Sequence, residues 1–328
     1  MSRTCAVLLL LLLGLGCASA GPEAGRAPLA PGLHEQKLSL RIGFTRRSYA
    51  LYVPRGYDAA RPMPLVVSVH GAFSTTRLHQ ERTGFNELAD EQGFAVAYPR
   101  GMGLFDWLRH WNSGHCCGPA RLTLLDDVEF LDAVIDDAMA RVAIDPSRIY
   151  MAGFSNGGML THRFAAERSR RLAAAAVTAG TIGGKPDART PVWRVPAPEA
   201  PVPVLMIHGR ADAIVQYEGG RDRRSPTGRT WLSVTDSLRF WTRGNRCEPD
   251  PDRYAGGAIE VEVFRRCAGG ASVQLYSIDR WGHVWPGPIA ARRASPAPLA
   301  GFDAARVIWT FFESHRRALE TASGGPAG

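Results

Sequence analysis

Short apolar runs alternate with amphipathic segments along most of the chain. The runs have the length of β-strands, and their continuous apolarity is typical of strands that are buried on both faces of a sheet. In the segments between them, apolar residues recur at helical spacing. The alternation predicts a single-domain α/β fold with a mostly parallel central sheet and helices on both faces. The predicted strands are 49–53, 65–69, 95–98, 149–152, 174–178, 204–207 and 273–278, and the predicted helices are 83–92, 126–142, 156–168, 231–243 and 302–319.

The N-terminus has the pattern of a cleaved signal peptide. Arg3 precedes an apolar run over 6–15, and the small residues 18–20 come directly before Gly21. We therefore expect residues 1–20 to be removed and the mature chain to be secreted or periplasmic. A bilayer span needs about 20 apolar residues, so no transmembrane segment is expected. Lipoprotein anchoring through Cys17 is the less favoured alternative, because the leucine usual three places before such a cysteine is absent.

Composition and charge narrow the classes of protein further. Of the 328 residues, 45% are hydrophobic and 21% are charged, which excludes intrinsic disorder as the main state. We expect a folded domain over 37–320, between a poorly ordered segment 21–36 and a disordered tail 321–328. The formal charge is +8, but the basic residues are scattered in twos and threes, so nucleic-acid binding is not expected. A basic surface is compatible with anionic polymers or substrates.

The chemistry is concentrated in the run Gly153-Phe154-Ser155-Asn156-Gly157. This G-x-S-x-G pattern lies between a predicted strand and a predicted helix, the context in which a nucleophilic serine stands on a sharp turn. The close approach of a neighbouring chain requires small residues at 153 and 157. The pattern alone is weak, since random order yields about 0.2 matches in such a chain, and the flanking elements make it specific. We predict that Ser155 is a nucleophile.

A serine hydroxyl is a poor nucleophile at neutral pH and needs a base that is itself oriented by a carboxylate. Two later strands supply these groups. One predicted strand opens into a loop that contains Asp212, and the last predicted strand is followed by a loop that contains His283. We predict Asp212 as the orienting acid and His283 as the base, and Asp187 and Asp222 are less well placed alternatives for the acid.

The tetrahedral intermediate of acyl transfer also needs two amide donors for its oxyanion. One is expected from the residue after the nucleophile, Asn156, and the other from the loop after an early strand. The residues His70-Gly71-Ala72-Phe73 follow a buried predicted strand, and Gly71 allows the backbone to turn there. We predict Ala72 as the second donor, with Phe73 as the less favoured choice.

Several motifs occur in one order along the chain. They are LYVPRGYD at 51–58, VHG at 69–71, WNSGHCCG at 111–118, DDV at 126–128, GFSNGG at 153–158 and GHVWPG at 282–287. In these motifs the sequence resembles the secreted polyhydroxybutyrate-depolymerase-like esterases, which are similar to the feruloyl and acetylxylan esterases of carbohydrate esterase family one. The resemblance extends over about 38–312. It implies an α/β-hydrolase fold and a serine carboxylic-ester hydrolase without a cofactor, with Ser155, Asp212 and His283 as its triad.

The substrate is less constrained than the reaction. Arg280 and Trp281 stand where a more glycine-rich approach to the histidine is usual, and Ala72 stands where depolymerases often have cysteine. The chain ends soon after the last predicted helix, which leaves no room for an appended domain that binds insoluble polyester. We expect a small or oligomeric ester, either a phenolic or acetyl ester of a polysaccharide or a hydroxyalkanoate oligomer.

Aromatic residues near the motif loops are candidates for stacking on sugar or phenolic rings. The alternative for each tryptophan is packing in the core or in a loop. The candidates are Phe73, Trp107, Trp111, Trp281 and Trp285, of which Phe73, Trp111 and Trp285 are the favoured ones.

Four cysteines remain after signal cleavage, and in an oxidising compartment they allow three pairings. We favour a Cys247–Cys267 disulfide, because closing a loop of about 20 residues stabilises the fold by about 3 kcal/mol. Cys116 and Cys117 are adjacent, and the sequence leaves their redox state open. Together with His110 and His115 they lack zinc-like spacing, so no metal is expected. The pair Asp126-Asp127 is explained by helix capping.

Other functions use the same residues. An acyltransferase would pass the acyl group to an alcohol, and a serine peptidase would cleave amides with the same triad. A hydrolase-fold protein that only binds its ligand is a further alternative, which the presence of all three triad residues disfavours.

Overall fold

A computed structural model describes residues 29–42, 45–103, 108–122, 126–287, 299 and 301–319. The predicted signal peptide and tail, together with Trp107, lie outside these residues. Within them, the chain forms a ten-stranded sheet and a separate four-stranded sheet. The strands are β1 (Gly32–Ile42), β2 (Thr45–Val53), β3 (Met63–Val69), β4 (Ala95–Pro99), β5 (Ile144–Phe154), β6 (Ala174–Thr178), β7 (Gly183–Lys185), β8 (Trp193–Arg194), β9 (Val204–Gly209), β10 (Gly220–Arg221), β11 (Thr230–Trp231), β12 (Asp252–Gly256), β13 (Ile259–Phe264) and β14 (Val273–Ile278).

The centre of the large sheet is parallel. Across the sheet the strand order is β1-β2-β4-β3-β5-β6-β9-β14-β13-β12, and the six strands from β4 to β14 run in one direction. β3, β4, β6 and β9 are buried along their whole length, as their continuous apolarity predicts. Because parallel strands end at the same edge, the loops after β3, β5, β9 and β14 meet there.

Helices cover both faces of this sheet. In chain order they are α1 (Thr76–Thr83), α2 (Phe85–Gln92), α3 (Gly118–Leu122), α4 (Asp127–Arg141), α5 (Asn156–Glu167), α6 (Val234–Gly244) and α7 (Ala304–Glu313). Alternate strand residues face opposite layers. Val67 belongs to the cluster that includes apolar residues of α4, α5 and α6, whereas Val66 belongs to the cluster with those of α2 and α7. The described residues therefore form the layered α/β-hydrolase fold that the sequence predicts.

The helix predicted over 83–92 is found as α2, which begins at Phe85, and the sequence did not predict α1 before it. Gly84 has φ 68° and lies between α1 and α2. This left-handed conformation ends the first helix, since glycine adopts it without steric cost. Thr75 caps the start of α1 by accepting a hydrogen bond from the N–H of Leu78. The apolar pattern predicted only the second helix, because the side chains that α1 buries, Thr76, His79 and Thr83, are polar.

The prediction that residues 21–36 are poorly ordered is wrong from Gly32 onward. β1 begins there and pairs in antiparallel register with β2, from Gly32 opposite Val53 to Lys37 opposite Ser48. The backbone hydrogen bonds of β2 hold this strand, and Gln36 is buried against the domain. The sequence of β1 is too polar to show its strand character alone, because an edge strand of this kind is stabilised by its partner.

A hairpin forms the opposite edge of the large sheet. β12 and β13 pair with each other, and β13 pairs with β14. The structure joins Cys247, which follows α6, to Cys267, which follows β13, and this is the disulfide favoured from the sequence. In the described ranges, no helix is both long and apolar enough to cross a membrane.

Candidate active site

Ser155 occupies the sharp turn between β5 and α5. Its backbone has φ 55° and ψ −122°, a conformation that a non-glycine residue adopts only where its surroundings force it. A methyl group at Gly157 would collide with the carbonyl oxygens of Val69 and His70, and one at Gly153 would collide with Thr161. Gly157 is therefore required by the close approach of the end of β3, and Gly153 by the close approach of α5.

The structure brings Ser155, His283 and Asp212 into one chain of hydrogen bonds. The Nε2 atom of His283 lies 2.8 Å from the Ser155 Oγ atom. Its Nδ1 atom lies 2.7 Å from Oδ2 of Asp212. The ring of Phe154 packs against the imidazole at a centroid distance of 5.2 Å and limits its freedom to rotate. The rival acids Asp187 and Asp222 have other hydrogen bonds, with Thr190 and with Arg224.

Neighbouring strands explain why residues so distant in sequence meet. β9 and β14 are parallel neighbours, and Gly209 pairs with Ile278 at their ends. The following loops are hydrogen bonded to each other, since the Ala211 N–H donates to the Trp281 carbonyl at 3.1 Å. Arg280 turns this loop with φ 55°, a left-handed conformation that a non-glycine residue rarely adopts. The two loops thereby place Asp212 and His283 side by side.

Asp212 is buried in its ionised form. Oδ1 accepts hydrogen bonds from the N–H groups of Ile214 and Val215 at 2.8 and 2.9 Å. Burial alone raises the pKa of this carboxyl, but hydrogen bonds from His208 and His283 outweigh it and hold the pKa well below its usual range. His208 was missed by sequence reasoning. It lies 3.4 Å from Oδ2 of Asp212, on the strand end whose apolar run predicts burial.

The loop after β3 lies next to the serine. β3 and β5 are parallel neighbours, and Val69 pairs with Gly153. The N–H of Phe73 donates to the Arg109 carbonyl at 3.0 Å, so it is already occupied. No hydrogen bond among the described residues uses the N–H of Ala72 or Asn156. These two amides remain available to a ligand beside Ser155.

His70 holds this loop in place, a contribution that sequence reasoning missed. Its Nε2 atom accepts a hydrogen bond from the N–H of Gly101 at 3.0 Å, so the proton of the neutral ring is on Nδ1. Nδ1–H donates to the Gly71 carbonyl at 2.7 Å. The C=O and N–H of one trans peptide point in opposite directions, so this bond aims the Ala72 N–H away from the imidazole. Burial lowers the pKa of His70 to about 4, which keeps the ring neutral.

The side chain of Asn156 forms hydrogen bonds with the loop that contains Trp111, in addition to the free N–H of its backbone. Its side-chain Oδ1 accepts from the Trp111 N–H at 2.8 Å, and its Nδ2 donates to the Trp111 carbonyl at 3.2 Å. The next residue of that loop, Asn112, donates its N–H to Asp127. Asp127 is buried and ion-paired with Arg47 at 2.7 Å, whereas Asp126 caps α4. The capping explanation therefore holds for Asp126, and Asp127 instead braces the loop beside the serine.

The prediction that tryptophans line the substrate site is wrong for Trp111, Trp281 and Trp285. Trp111 is 0% exposed and donates its indole N–H to the His70 carbonyl. Trp281 and Trp285 are buried as well, because the loops that carry them fold back onto the core. Phe73 is different, since 66% of it is exposed beside Ala72. Of the aromatic candidates in the described chain, Phe73 is placed to touch a substrate.

The structure joins the adjacent Cys116 and Cys117 in a disulfide. In this form neither sulfur is a thiolate ligand for a metal. The described residues contain no group of three or more histidine, cysteine, aspartate or glutamate side chains that could hold a metal ion. The Cys116 side chain instead packs with Met159, Val215 and Trp231.

A mostly parallel sheet with helices on both faces, and a Ser–His–Asp arrangement at the carboxyl ends of its strands, defines an α/β-hydrolase. Residues 47–195 match a family model described as Esterase PHB depolymerase. Feruloyl esterase B of Piromyces equi is 28% identical over 251 residues, which are 73% of this chain and 42% of that protein. The putative esterase NocK of Nocardia uniformis subsp. tsuyamanensis is 28% identical over 283 residues, 80% of this chain and 77% of that protein.

The solved structures agree on the fold. An acetyl xylan esterase from Aspergillus awamori aligns with a TM-score of 0.54 at 15% sequence identity, over 77% of this chain and 95% of its own. The resemblance to polyhydroxybutyrate-depolymerase-like and feruloyl esterases is thereby confirmed. The chain spans less than half the length of the Piromyces equi protein. The family match and the relatives support an ester hydrolase.

Proposed function

We propose that this protein is a serine esterase that hydrolyses carboxylic esters through an acyl-enzyme. The observation that carries the proposal is the hydrogen-bonded chain from Ser155 through His283 to Asp212, at distances of 2.8 and 2.7 Å. Each link has the length that proton transfer in acyl chemistry requires. The serine stands on a constrained turn, and the acid is buried and charged. No cofactor is needed for this chemistry.

The roles follow from the geometry. The Ser155 Oγ attacks the ester carbonyl carbon, and its proton passes to Nε2 of His283. The resulting oxyanion accepts hydrogen bonds from the N–H groups of Ala72 and Asn156. When the intermediate collapses, the C–O bond to the alcohol breaks and the imidazolium returns the proton to the leaving oxygen. Water then gives a proton to His283 as its oxygen bonds to the acyl carbon. The bond from that carbon to the Ser155 Oγ breaks, the imidazolium returns the proton to Oγ, and the acid leaves.

Asp212 and His70 orient the reacting groups. Asp212 accepts the Nδ1–H of His283, which fixes the tautomer of the base and stabilises the imidazolium that forms. His70 directs the Ala72 amide through Gly71. The acid and the oxyanion loop thus work through their neighbours and do not react themselves.

The substrate class we propose is a small or oligomeric ester, namely a phenolic or acetyl ester of a polysaccharide or a hydroxyalkanoate oligomer. The names of the family model and of the relatives support this range. The exposed ring of Phe73 offers an apolar surface beside the proposed oxyanion site. We place the mature protein outside the cytoplasm, in keeping with its two disulfides.

The test compares the wild-type protein with Ser155→Ala on a chromogenic short-chain ester. We expect a loss in kcat on the order of 10⁶-fold, because the nucleophile of a triad accounts for most of its rate enhancement. Ser169→Ala is the matched control, since Ser169 is also a buried serine but hydrogen bonds to Ala200 away from the turn. Equal rates for wild type and Ser155→Ala would overturn the proposal. Product analysis with an added alcohol distinguishes hydrolysis from acyl transfer.

A further inference from the structure

Two adjoining cavities lie beside the edge formed by β8 and α6, and they are lined by arginine. The first has a volume of about 600 Å³ and is lined by Arg194, Arg239 and Arg243, with Phe240 and Asp236. The second, of about 420 Å³, shares Arg194 with the first. It adds three further residues that matter here, Arg121, Arg163 and Trp193. We call the two cavities together the arginine groove.

Most cationic groups of the groove lack an acidic partner. Arg163 is paired with Glu167 at 2.7 Å. Within the described part of the chain, Arg121, Arg194, Arg239 and Arg243 form no salt bridge, and the last three are exposed. By contrast, most arginines elsewhere on the surface are paired, as Arg171 is with Asp132. Four arginines without a salt bridge in the described chain give the groove an excess of positive charge, which attracts an anion.

The two carboxylates of the groove are already engaged. Asp236 accepts hydrogen bonds from the backbone and hydroxyl of Ser233 in the capping box of α6. Burial opposes ionisation of Asp236, but these bonds, with the charges of Arg239 and Arg194, lower its pKa. Glu167 is held by Arg163. Asp236 thus offsets part of the charge of Arg239 and Arg194, and Glu167 offsets that of Arg163, but five arginines against two carboxylates leave the groove positive.

The arginines of the groove are suited to a long ligand that carries several planar anionic groups. Arg239 and Arg243 are four residues apart on α6, so their side chains leave the same face of the helix about 6 Å apart. Every cationic group that lines the groove is arginine, whose planar fork binds a carboxylate through two parallel hydrogen bonds.

Trp193 adds an aromatic surface. Its ring stacks on His115 at 5.5 Å and covers Gly114, where a methyl group would collide with it. The ring is therefore held in one position at the wall of the second cavity. A fixed aromatic ring beside guanidinium groups suits a sugar that carries a carboxylate, since the ring contacts the apolar face of the sugar and arginine binds the acid. A single-stranded nucleic acid instead needs several aromatic rings for successive bases.

The groove is connected to the proposed active site through one loop. Asn112 and Gly114 line its second cavity. Trp111, in the same loop, is held by the side chain of Asn156, the residue after Ser155. A polymer in the groove would thus lie along the surface next to the loop that braces the nucleophile.

We propose that the arginine groove binds a polysaccharide that carries uronate carboxylates. Among the substrates proposed above, this inference selects polysaccharide esters and specifies that the polysaccharide is acidic. It rests on the proposed function only for the link between binding and ester cleavage. Binding itself is a property of the groove. It is measured in Ser155→Ala protein, so that its outcome does not depend on catalysis.

The experiment titrates Ser155→Ala protein with an oligogalacturonate and with a neutral xylo-oligosaccharide of the same length, following tryptophan fluorescence and heat. We expect the acidic oligosaccharide to bind at least about tenfold more tightly, with an affinity that falls as salt rises. Three arginines are then changed together to glutamine, Arg194, Arg239 and Arg243, and we expect at least about tenfold weaker binding. Changing the same three to lysine keeps the charge and is expected to restore only part of the affinity.

A matched control removes the same charge from the opposite face of the sheet, which α2 and α7 cover. Arg55, Arg77 and Arg306 are exposed there, each paired with a carboxylate, and they are replaced by glutamine. Equal weakening by the opposite-face and groove variants would mean that net charge alone acts, which overturns the site. Thermal midpoints confirm that each variant is folded. Equal affinity for the acidic and neutral oligosaccharides would overturn the proposal, and so would tighter, groove-dependent binding of a single-stranded DNA oligonucleotide.

Discussion

The carboxyl edge of the central sheet and the arginine groove use charge in opposite ways. At the edge, Asp212 and the Arg47–Asp127 pair are buried, and each charge is held by directed hydrogen bonds. In the groove, Arg194, Arg239 and Arg243 are exposed, and none of them forms a salt bridge with another residue of the described chain. Buried charges act strongly over fixed distances, whereas exposed ones are screened by solvent and salt.

This difference in burial matches the separate tasks that we propose for the two regions, catalysis at the carboxyl edge and substrate recognition in the groove. Proton transfer needs atoms that stay within hydrogen-bond distance. The side chains at the carboxyl edge are accordingly closely packed, and the histidines that support them are buried and neutral. Recognition of a polymer needs charges that can adjust to it, and side chains without partners provide this. A change at the edge should therefore alter rate, and a change in the groove should alter affinity.

The largest effect after loss of the nucleophile is expected for Asp212→Asn. The amide keeps the shape of the carboxyl but stabilises the wrong tautomer of His283, so kcat should fall about 10⁴-fold. Steady-state kinetics on a chromogenic ester measure it. Asp187→Asn is the matched control, because Asp187 is a partly exposed loop aspartate that accepts a hydrogen bond from the N–H of Thr190. A normal rate for Asp212→Asn would remove the acid from the proposed mechanism.

Acid is expected to lower the free energy of unfolding before any carboxyl group titrates, because buried histidines lie close to the carboxyl edge. His70 has a folded-state pKa of about 4 because it is buried, against about 6.5 in an unfolded chain. Above pH 6.5 the ring is neutral in both states and its contribution to stability is complete. As the pH falls from 6.5 towards 4, only the unfolded chain binds the proton, and the free energy of unfolding falls by about 3 kcal/mol in total. Burial lowers the pKa of His115 and of His162 to about 3, so both act with the same sign.

Denaturant unfolding at a series of pH values measures this loss. The free energy of unfolding should be flat between pH 8 and 7 and should fall steadily below pH 6.5. The lowered pKa of Asp212 adds its own loss only at still lower pH, near the ordinary carboxyl range. Unchanged stability from pH 7 to 5 would contradict buried, neutral histidines.

The smallest of these effects is expected at His70. Replacing it with leucine removes the donor to Gly71 and lets the Ala72 amide turn, so kcat should fall about tenfold with little change in KM. Asparagine keeps an N–H donor near the position of Nδ1 and should recover most of the rate. Equal rates for the two variants, at equal thermal midpoints, would show that His70 acts only through packing.

Several parts of this molecule could be predicted from local pattern. The strands 174–178 and 273–278 are found with the predicted bounds, because a run of apolar residues between turn residues has few other ways to be buried. The three residues proposed as the triad were named from their positions after strands, and the structure brings those three together. Topology explains this, since parallel strands all end at one edge.

Other parts depended on neighbours that no local pattern reveals. β1 is a strand because β2 lies beside it, and the 83–92 segment follows a further helix because Gly84 permits the turn. The motifs predict Trp111 and Trp285 as substrate residues, but both are buried. Whether an aromatic ring faces solvent or core depends on how its loop packs against the rest of the domain.

The amino-acid sequence by itself determined the layered α/β architecture, the sharp turn at Ser155 and the three residues proposed as nucleophile, base and acid. These follow from short-range sterics, from apolar periodicity and from the common direction of parallel strands. Only the tertiary structure decided that His70 aims the Ala72 amide, that Phe73 is exposed while the nearby tryptophans are buried, and that four arginines share a groove without acidic partners. Those features depend on contacts between residues far apart in the chain, because burial and charge pairing are set by whatever side chains the fold brings alongside.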